Sequence, residues 1–229
     1  MTGPGTGPGT GPGTADEIGL VSVNVSGAEY LGEHRGRPVR SGIAKRPVTA
    51  DGLWLGRINL EGDDQADRRV HGGPDKAVYA YPSEHLAAWS EELGEELGPA
   101  AFGENLSTTG ATEDDVCIGD RWAWGDAVLE VCQPRWPCFK LALHRGRGDI
   151  GRRMKESGRT GWYLRVIEEG RVPVAGPVRV VERHPMGATV WAAHQAARPD
   201  GAPLEVVSAI LHVEPLADEW KAALAERLP

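Results

Sequence analysis

Sulfur and phenylalanine are scarce in this chain: its 229 residues include three Cys, three Met and two Phe. Three thiols (Cys117, Cys132, Cys138) cannot complete a disulfide framework, and they contain no C-x-x-C and no finger-type metal spacing. A reducing cytoplasm is the compartment this favours. No apolar run approaches the roughly 20 residues of a membrane span. The opening residues, Met1-Thr-Gly-Pro, show neither the basic nor the apolar region of a secretory signal. Basic charge is also in deficit, with 25 Lys plus Arg against 33 acidic residues and a net charge of −8. Non-specific nucleic-acid binding needs a basic footprint and is not expected.

Several catalytic signatures are missing as well. There is no G-x-x-x-x-G-K-[ST] phosphate loop and no G-x-S-x-G nucleophile elbow. Gly146-Arg-Gly-Asp-Ile-Gly151 fits G-x-G-x-x-G, but it follows a helical turn and no strand–helix–strand unit surrounds it. It is rejected as a dinucleotide site. The histidines His34, His85, His144, His184, His194 and His212 show no metal-ligand spacing.

What is present is a chain of ordinary apolar content, 40%, and of a length that buries roughly 70% of its unfolded surface without staples. Residues 3–14 repeat Gly-Pro-Gly-Thr three times and cannot build a core, so residues 1–16 are expected to be a disordered tail. Alternation marks a strand over 18–25, and further strands over 54–60, 77–81, 121–124, 127–131, 162–167 and 178–182. Gly125-Asp126 and Glu169-Gly170 read as hairpin turns. A helix is expected from Pro82 to Leu97, with Leu86, Trp89, Leu93 and Leu97 on one face, Ser83 as its N-cap and Gly98-Pro99 as its stop. A shorter helix covers 149–156, closed by Gly158. Glu113-Asp-Asp115 reads as a helix start or a solvated turn. Many short strands with few inserted helices predict a mainly β fold, a mixed or closed barrel, over residues 17–184. Beyond it, 189–197, 204–213 and 216–228 read as amphipathic helices, a small C-terminal module over 185–229.

Four segments could carry chemistry. The stretch from Leu60 to Tyr81 places Arg69, His71, Gly72, Gly73, Asp75 and Lys76 together. Paired glycines let backbone N–H groups converge on an anion and the cations add charge, although a solvated hairpin loop has the same composition. In Gln133-Pro-Arg-Trp-Pro-Cys-Phe-Lys140 two prolines restrict the chain before Cys138. Arg135 and Lys140 flank that thiol, and nearby cations favour the thiolate that ligates metals; a buried structural cysteine is the competing reading. Cys117 and Cys132 are read as structural. Glu104 and Asn105 put an acceptor and an amide on a tight loop suited to a heterocycle edge, or to an Asx turn. Lys45, in Ala44-Lys-Arg46, could meet a phosphate or face solvent.

Together these segments resemble the MOSC family, the domain named after the C-terminus of molybdenum-cofactor sulfurase. The resemblance runs through Leu60-Glu-Gly-Asp63, Gln65-Ala-Asp67, His71-Gly-Gly-Pro-Asp-Lys-Ala77, Gly103-Glu-Asn-Leu106 and Gln133-Pro-Arg135 with Pro137-Cys138 and Lys140-Leu141. It covers about residues 18–183 and is closest to stand-alone bacterial members linked to detoxifying N-hydroxylated purines, which carry a small three-helix C-terminal domain. It implies a barrel-like β fold binding molybdenum cofactor, with no pyridoxal phosphate site. The metal is then held by the pterin dithiolene and by one protein thiolate, Cys138, a soft ligand suited to a transition metal. Lys45, Arg69, His71, Gly72, Gly73, Lys76, Glu104, Asn105, Arg135 and Lys140 become cofactor neighbours, and Asp75 or His71 the proton source. The expected activity is reduction of N-hydroxylated compounds. With no flavin or NAD fingerprint, electrons would come from an external donor protein. Assembly as a homodimer is left open. Two other functions compete: a sulfur carrier or transferase using Cys138 as a persulfide, and a carrier that binds the cofactor without turning over.

Overall fold

The computed structural model of the chain describes residues 16–65 and 72–229. The Gly-Pro-Gly-Thr repeats, and the disorder expected of them, lie outside the described residues, as do Arg69 and His71. In chain order the elements are β1 (Glu17–Val25), β2 (Glu29–His34), β3 (Arg37–Ser41), β4 (Arg46–Pro47), β5 (Gly52–Leu55), β6 (Val78–Pro82), α1 (Leu86–Leu93), β7 (Leu106–Thr109), β8 (Arg121–Trp124) and β9 (Ala127–Pro134). They continue with α2 (Phe139–Arg145), α3 (Ile150–Ser157), β10 (Trp162–Glu168), β11 (Gly170–Pro173), β12 (Val178–Glu182), α4 (Val190–Ala196), α5 (Leu204–Leu211) and α6 (Asp218–Ala225).

Seven strands close into a barrel in the order β1–β7–β6–β10–β9–β8–β12, and the ring is completed where Ile18 of β1 faces Val178 of β12. Closure removes the free edges that an open sheet would expose. Inside, alternate residues of the strands meet: Trp122, Trp124, Leu129, Val131, Trp162 and Leu164 are all fully buried. The mainly β, barrel-like fold with inserted helices read from the sequence is therefore the fold observed.

All neighbouring pairs in the ring are antiparallel except β6 and β7. A parallel pair needs a crossover, and α1 with the loop after it supplies this. The crossover ends at Asn105, whose backbone N–H donates to the Tyr79 carbonyl at 2.8 Å, so the Gly103–Asn105 loop is laid against β6. A second cluster, including Tyr79, Tyr81, Trp89, Phe102, Leu141, Ile150 and Met154, seats α1, α2 and α3 on the outside of the barrel.

The three C-terminal helices form as expected, and Thr189 caps α4 by accepting a hydrogen bond from the Ala192 N–H at 3.0 Å. Val190, Ala193, Val207, Val213, Leu216, Trp220 and Leu224 belong to the same buried cluster as the barrel interior. Among the described residues no helix is long and apolar enough to cross a membrane.

Four local expectations are corrected. The first helix stops at Leu93, not Leu97, because Gly94 turns into the left-handed region at φ 68° and breaks the hydrogen-bond ladder. Ser83 does not cap it; its hydroxyl oxygen is buried without a partner among the described residues. Glu169-Gly170 does not join paired strands, since β11 pairs with β5. Glu113 is not solvated: its carboxylate pairs with His85 at 2.7 Å and accepts from the Gly161 N–H at 2.7 Å. The β2–β3 hairpin was not read from the sequence at all.

Candidate active site

Strand β9 ends at Pro134 and α2 begins at Phe139, so residues 135–138 form a short strap across one end of the barrel. It is tied at several points. The Arg135 N–H donates to the Gly161 carbonyl at 3.1 Å, and Cys138 forms the N-cap of α2, its carbonyl accepting from the Leu141 N–H at 3.0 Å. Pro137 removes a backbone donor and fixes φ beside the thiol.

Cys138 is half-buried and stands where cavities meet. It borders one of about 110 Å³, a larger one of about 590 Å³, and a third between α2 and α3. The other two thiols border none of these cavities. Cys132 is fully buried, donates to the carbonyls of Asp75 and Tyr163, and burial raises its pKa. Burial pushes the Cys117 thiol up to about 11.

The small cavity is cationic. Lys45, Lys76, Arg135 and Lys140 border it, against Asp63 and Asp64. Arg135 is 5% exposed and lies over the Tyr79 ring at 4.6 Å, with its guanidinium donating to the Tyr79 hydroxyl at 3.3 Å. Lys140 is 8% exposed. Among the described residues neither has a carboxylate partner. Two nearly buried cations without counter-ions are costly in isolation, and the arrangement suits an anion entering the cavity.

Lys45 is treated differently. Burial pulls its ammonium below the ordinary value and the neighbouring Asp63 carboxylate opposes that shift. Asp63 holds the surrounding loops together, accepting from Lys45, from the Ser26 N–H at 3.0 Å and from the Asn105 side-chain amide at 3.0 Å. The Asn105 side-chain oxygen Oδ1 accepts from the Tyr79 N–H at 3.1 Å, which ties this network to β6. Arg46, next to Lys45, faces solvent and pairs with Glu29.

The structure divides the residues read from the sequence. Cys138, Lys45, Lys76, Asn105, Arg135 and Lys140 meet at the small cavity. Glu104 sits behind its wall: fully buried, it accepts from the N–H groups of Ala100 at 2.7 Å and Phe102 at 3.0 Å and from the Ser107 hydroxyl at 2.9 Å. It shapes the loop that presents Gly103 and Asn105. Gly72 and Gly73 do not border these cavities; the Gly73 N–H donates to the Gln65 side chain at 3.0 Å. Gln65 also donates to the Lys76 carbonyl at 3.0 Å, so it grips both sides of that turn. Asp75 does not border these cavities, and its carboxylate accepts from Arg165 at 2.8 Å.

Sequence reasoning did not single out Asp63, Gln65, Tyr79 or Tyr163, all of which border the small cavity. Asp63 and Gln65 stood inside matched motifs as ordinary loop residues. Tyr79 and Tyr163 looked like strand residues. Burial raises both phenols, with Arg135 opposing, so both stay protonated at neutral pH.

Comparison with known proteins places this arrangement. The MOSC domain profile matches residues 67–179. The protein YiiM of Escherichia coli is 43% identical over 159 residues, 67% of this chain and 70% of that protein. A protein of Gibberella moniliformis named reductase is 36% identical over 135 residues, 57% of this chain but 24% of that longer protein. The crystal structure of YiiM from Geobacillus stearothermophilus superposes with a TM-score of 0.77 at 32% identity, covering 93% of this chain and 100% of that one. Profile, relatives and barrel agree: the chain belongs to the MOSC family.

Proposed function

We propose that this protein binds a molybdenum cofactor at Cys138 and reduces N-hydroxylated substrates with electrons from a separate donor protein. The observation that supports it most is the pairing of one half-buried thiol with buried cations, Arg135 and Lys140, that lack carboxylate partners among the described residues. An anionic pterin phosphate with a metal-bound dithiolene matches that chemistry. Among the described residues no group of three or more His, Cys, Asp or Glu could hold a metal ion. One protein thiolate therefore suits a metal whose other ligands arrive with it.

In this reading Cys138 provides the sulfur ligand, while Arg135, Lys140 and Lys76 hold the anionic part. Lys45 is paired with Asp63, and Asn105, whose side-chain amide donates to Asp63, borders the same cavity. The bound cofactor supplies the two-electron chemistry, and the chain supplies orientation and electrostatics. Conversion of N–OH to N–H consumes two electrons and two protons and releases water. Asp75 is committed to Arg165, so His71 is the proton donor carried forward.

The test is to purify the protein from a host that makes the cofactor, measure molybdenum and pterin, and assay a hydroxylamino heterocycle with an artificial electron donor. Near-stoichiometric metal with reduction to the amine is the expected result. Metal-free protein carrying a persulfide on Cys138 would overturn it in favour of sulfur transfer. Stoichiometric metal without turnover would leave a carrier.

A further inference from the structure

We propose that the basic face built by the β2–β3 hairpin, α2 and α3 docks an acidic, flavin-carrying electron donor protein, whose projecting flavin edge enters the cavity of about 420 Å³ between α2 and α3. The inference rests on the reading above and names the class of donor which that reading requires.

Charge is unevenly spread along the chain. Residues 135–159, which form the strap, α2 and α3, hold eight Lys or Arg and two acidic residues, although the whole chain has a net charge of −8. Residues 34–46, from the hairpin turn onwards, hold five Lys or Arg and no acidic residue. The fold brings the two segments together: α2 packs against both α3 and β2, and the His34 ring stacks on Phe139 at 4.2 Å. Arg145 and Arg159 are engaged by Glu95 and Glu92. Arg35, Arg37 and Lys155 have no carboxylate partner among the described residues, and Arg35, Arg37 and Arg152 are exposed. A cationic face on an acidic chain steers an acidic partner to one place.

That place lies beside the thiol. Cys138, Phe139, Arg152 and Lys155 all border the cavity between α2 and α3. Phe139 follows Cys138 directly and is 37% exposed, an apolar point among cations. Electron-transfer encounters bury less than about 1,200 Å² and depend on charge for steering more than on area. A small apolar centre rimmed by cations meets that requirement, and the concavity receives a flat ring edge. A flavin seated there is on the Cys138 side of the barrel. The electron count closes: a fully reduced flavin becomes oxidised and gives up two electrons and two protons, and conversion of N–OH to N–H takes up both and releases water.

The experiment titrates the full-length protein calorimetrically with oxidised flavodoxin, an acidic flavin carrier, at low and at high salt. The proteins compared are the wild type, Arg37→Glu, Arg152→Glu and, as a control of equal charge change, Arg171→Glu on the exposed side of β11, which pairs with β5. The same proteins, cofactor-loaded, are assayed with reduced flavodoxin and with dithionite-reduced methyl viologen. Each reversal on the face should weaken flavodoxin binding about tenfold or more and raise its KM to match, with the viologen rate within about twofold of wild type. Arg171→Glu should stay within about twofold throughout, and high salt should weaken the wild type. No flavodoxin binding at low salt, or equal losses in Arg171→Glu and the face variants, would overturn the inference. Tighter binding of a single-stranded oligonucleotide than of flavodoxin would overturn it in favour of a nucleic-acid face. Flavodoxin binding that depends on Arg37 and Arg152 in a protein without molybdenum would sustain the face while defeating the redox reading. Viologen-driven reduction without any flavodoxin binding would defeat the face and keep that reading.

Discussion

At the scale of single residues, the walls of the small cavity depend on buried polar groups that lie behind them. Glu104 uses both carboxylate oxygens on three donors, although burial raises its pKa against those hydrogen bonds. Glu104→Gln turns one acceptor into a donor facing another donor. It should cost about 1–3 kcal/mol by urea denaturation, an unsatisfied buried pair being the cause; an unchanged midpoint would contradict that account of the loop. His194 gives a pH dependence. Burial lowers its folded-state value below the ordinary 6.5, and its Nε2–H donates to the Lys155 carbonyl at 2.8 Å. The unfolded chain then takes up the proton first as pH falls. This contribution is full above about pH 6.5 and is lost below it. His144 is lowered in the same way. The Tm should fall between about pH 7 and about pH 5, and His194→Gln, which keeps a donor, should flatten the decline.

At the scale of elements, two glycines with left-handed φ make contrasting predictions. Gly94 ends α1 at φ 68° with nothing within 4 Å of an added Cβ, so Gly94→Ala should cost about 1 kcal/mol of backbone strain. Gly103 has φ 78°, and an added Cβ would lie 2.4 Å from the Ile43 side chain and 2.9 Å from its carbonyl oxygen. Gly103→Ala should lose clearly more stability and disturb the small cavity, which Gly103 and Ile43 both border. Similar losses for the two variants in thermal melts would contradict this packing.

The same scale explains what the sequence revealed. Barrel strands such as Arg121–Trp124 and Trp162–Glu168 bury one face, so their alternation is visible in the residues. The β2–β3 hairpin contains hardly any buried position, and without a buried face its pattern reads as a charged loop. Leu97 kept the helical spacing past the true end of α1, where a glycine conformation decided the matter. Cys138, Arg135 and Lys140 were legible because two prolines and two cations crowd one short segment. Tyr79, Tyr163 and Asp63 were not, since only closure of the barrel brings them to one cavity. The place of Asp75 in the motif was plain, but its bond to Arg165 on β10 was not legible in the sequence.

At the scale of the whole molecule, the barrel and the C-terminal helices share one buried cluster, and the Lys76–Glu219 pair links the mouth of the barrel to α6. The strap at residues 135–138 lies between them, with the cationic cavity on one side and the aromatic one on the other. Cys138 borders both cavities. The central claim is tested most directly by the molybdenum content of wild-type and Cys138→Ser protein purified side by side from a cofactor-competent host. The account predicts about one metal per wild-type chain and at most about a tenth of that in the variant, with the Tm of the two cofactor-free proteins the same. A Cys138→Ser protein that keeps the wild-type metal content would contradict it.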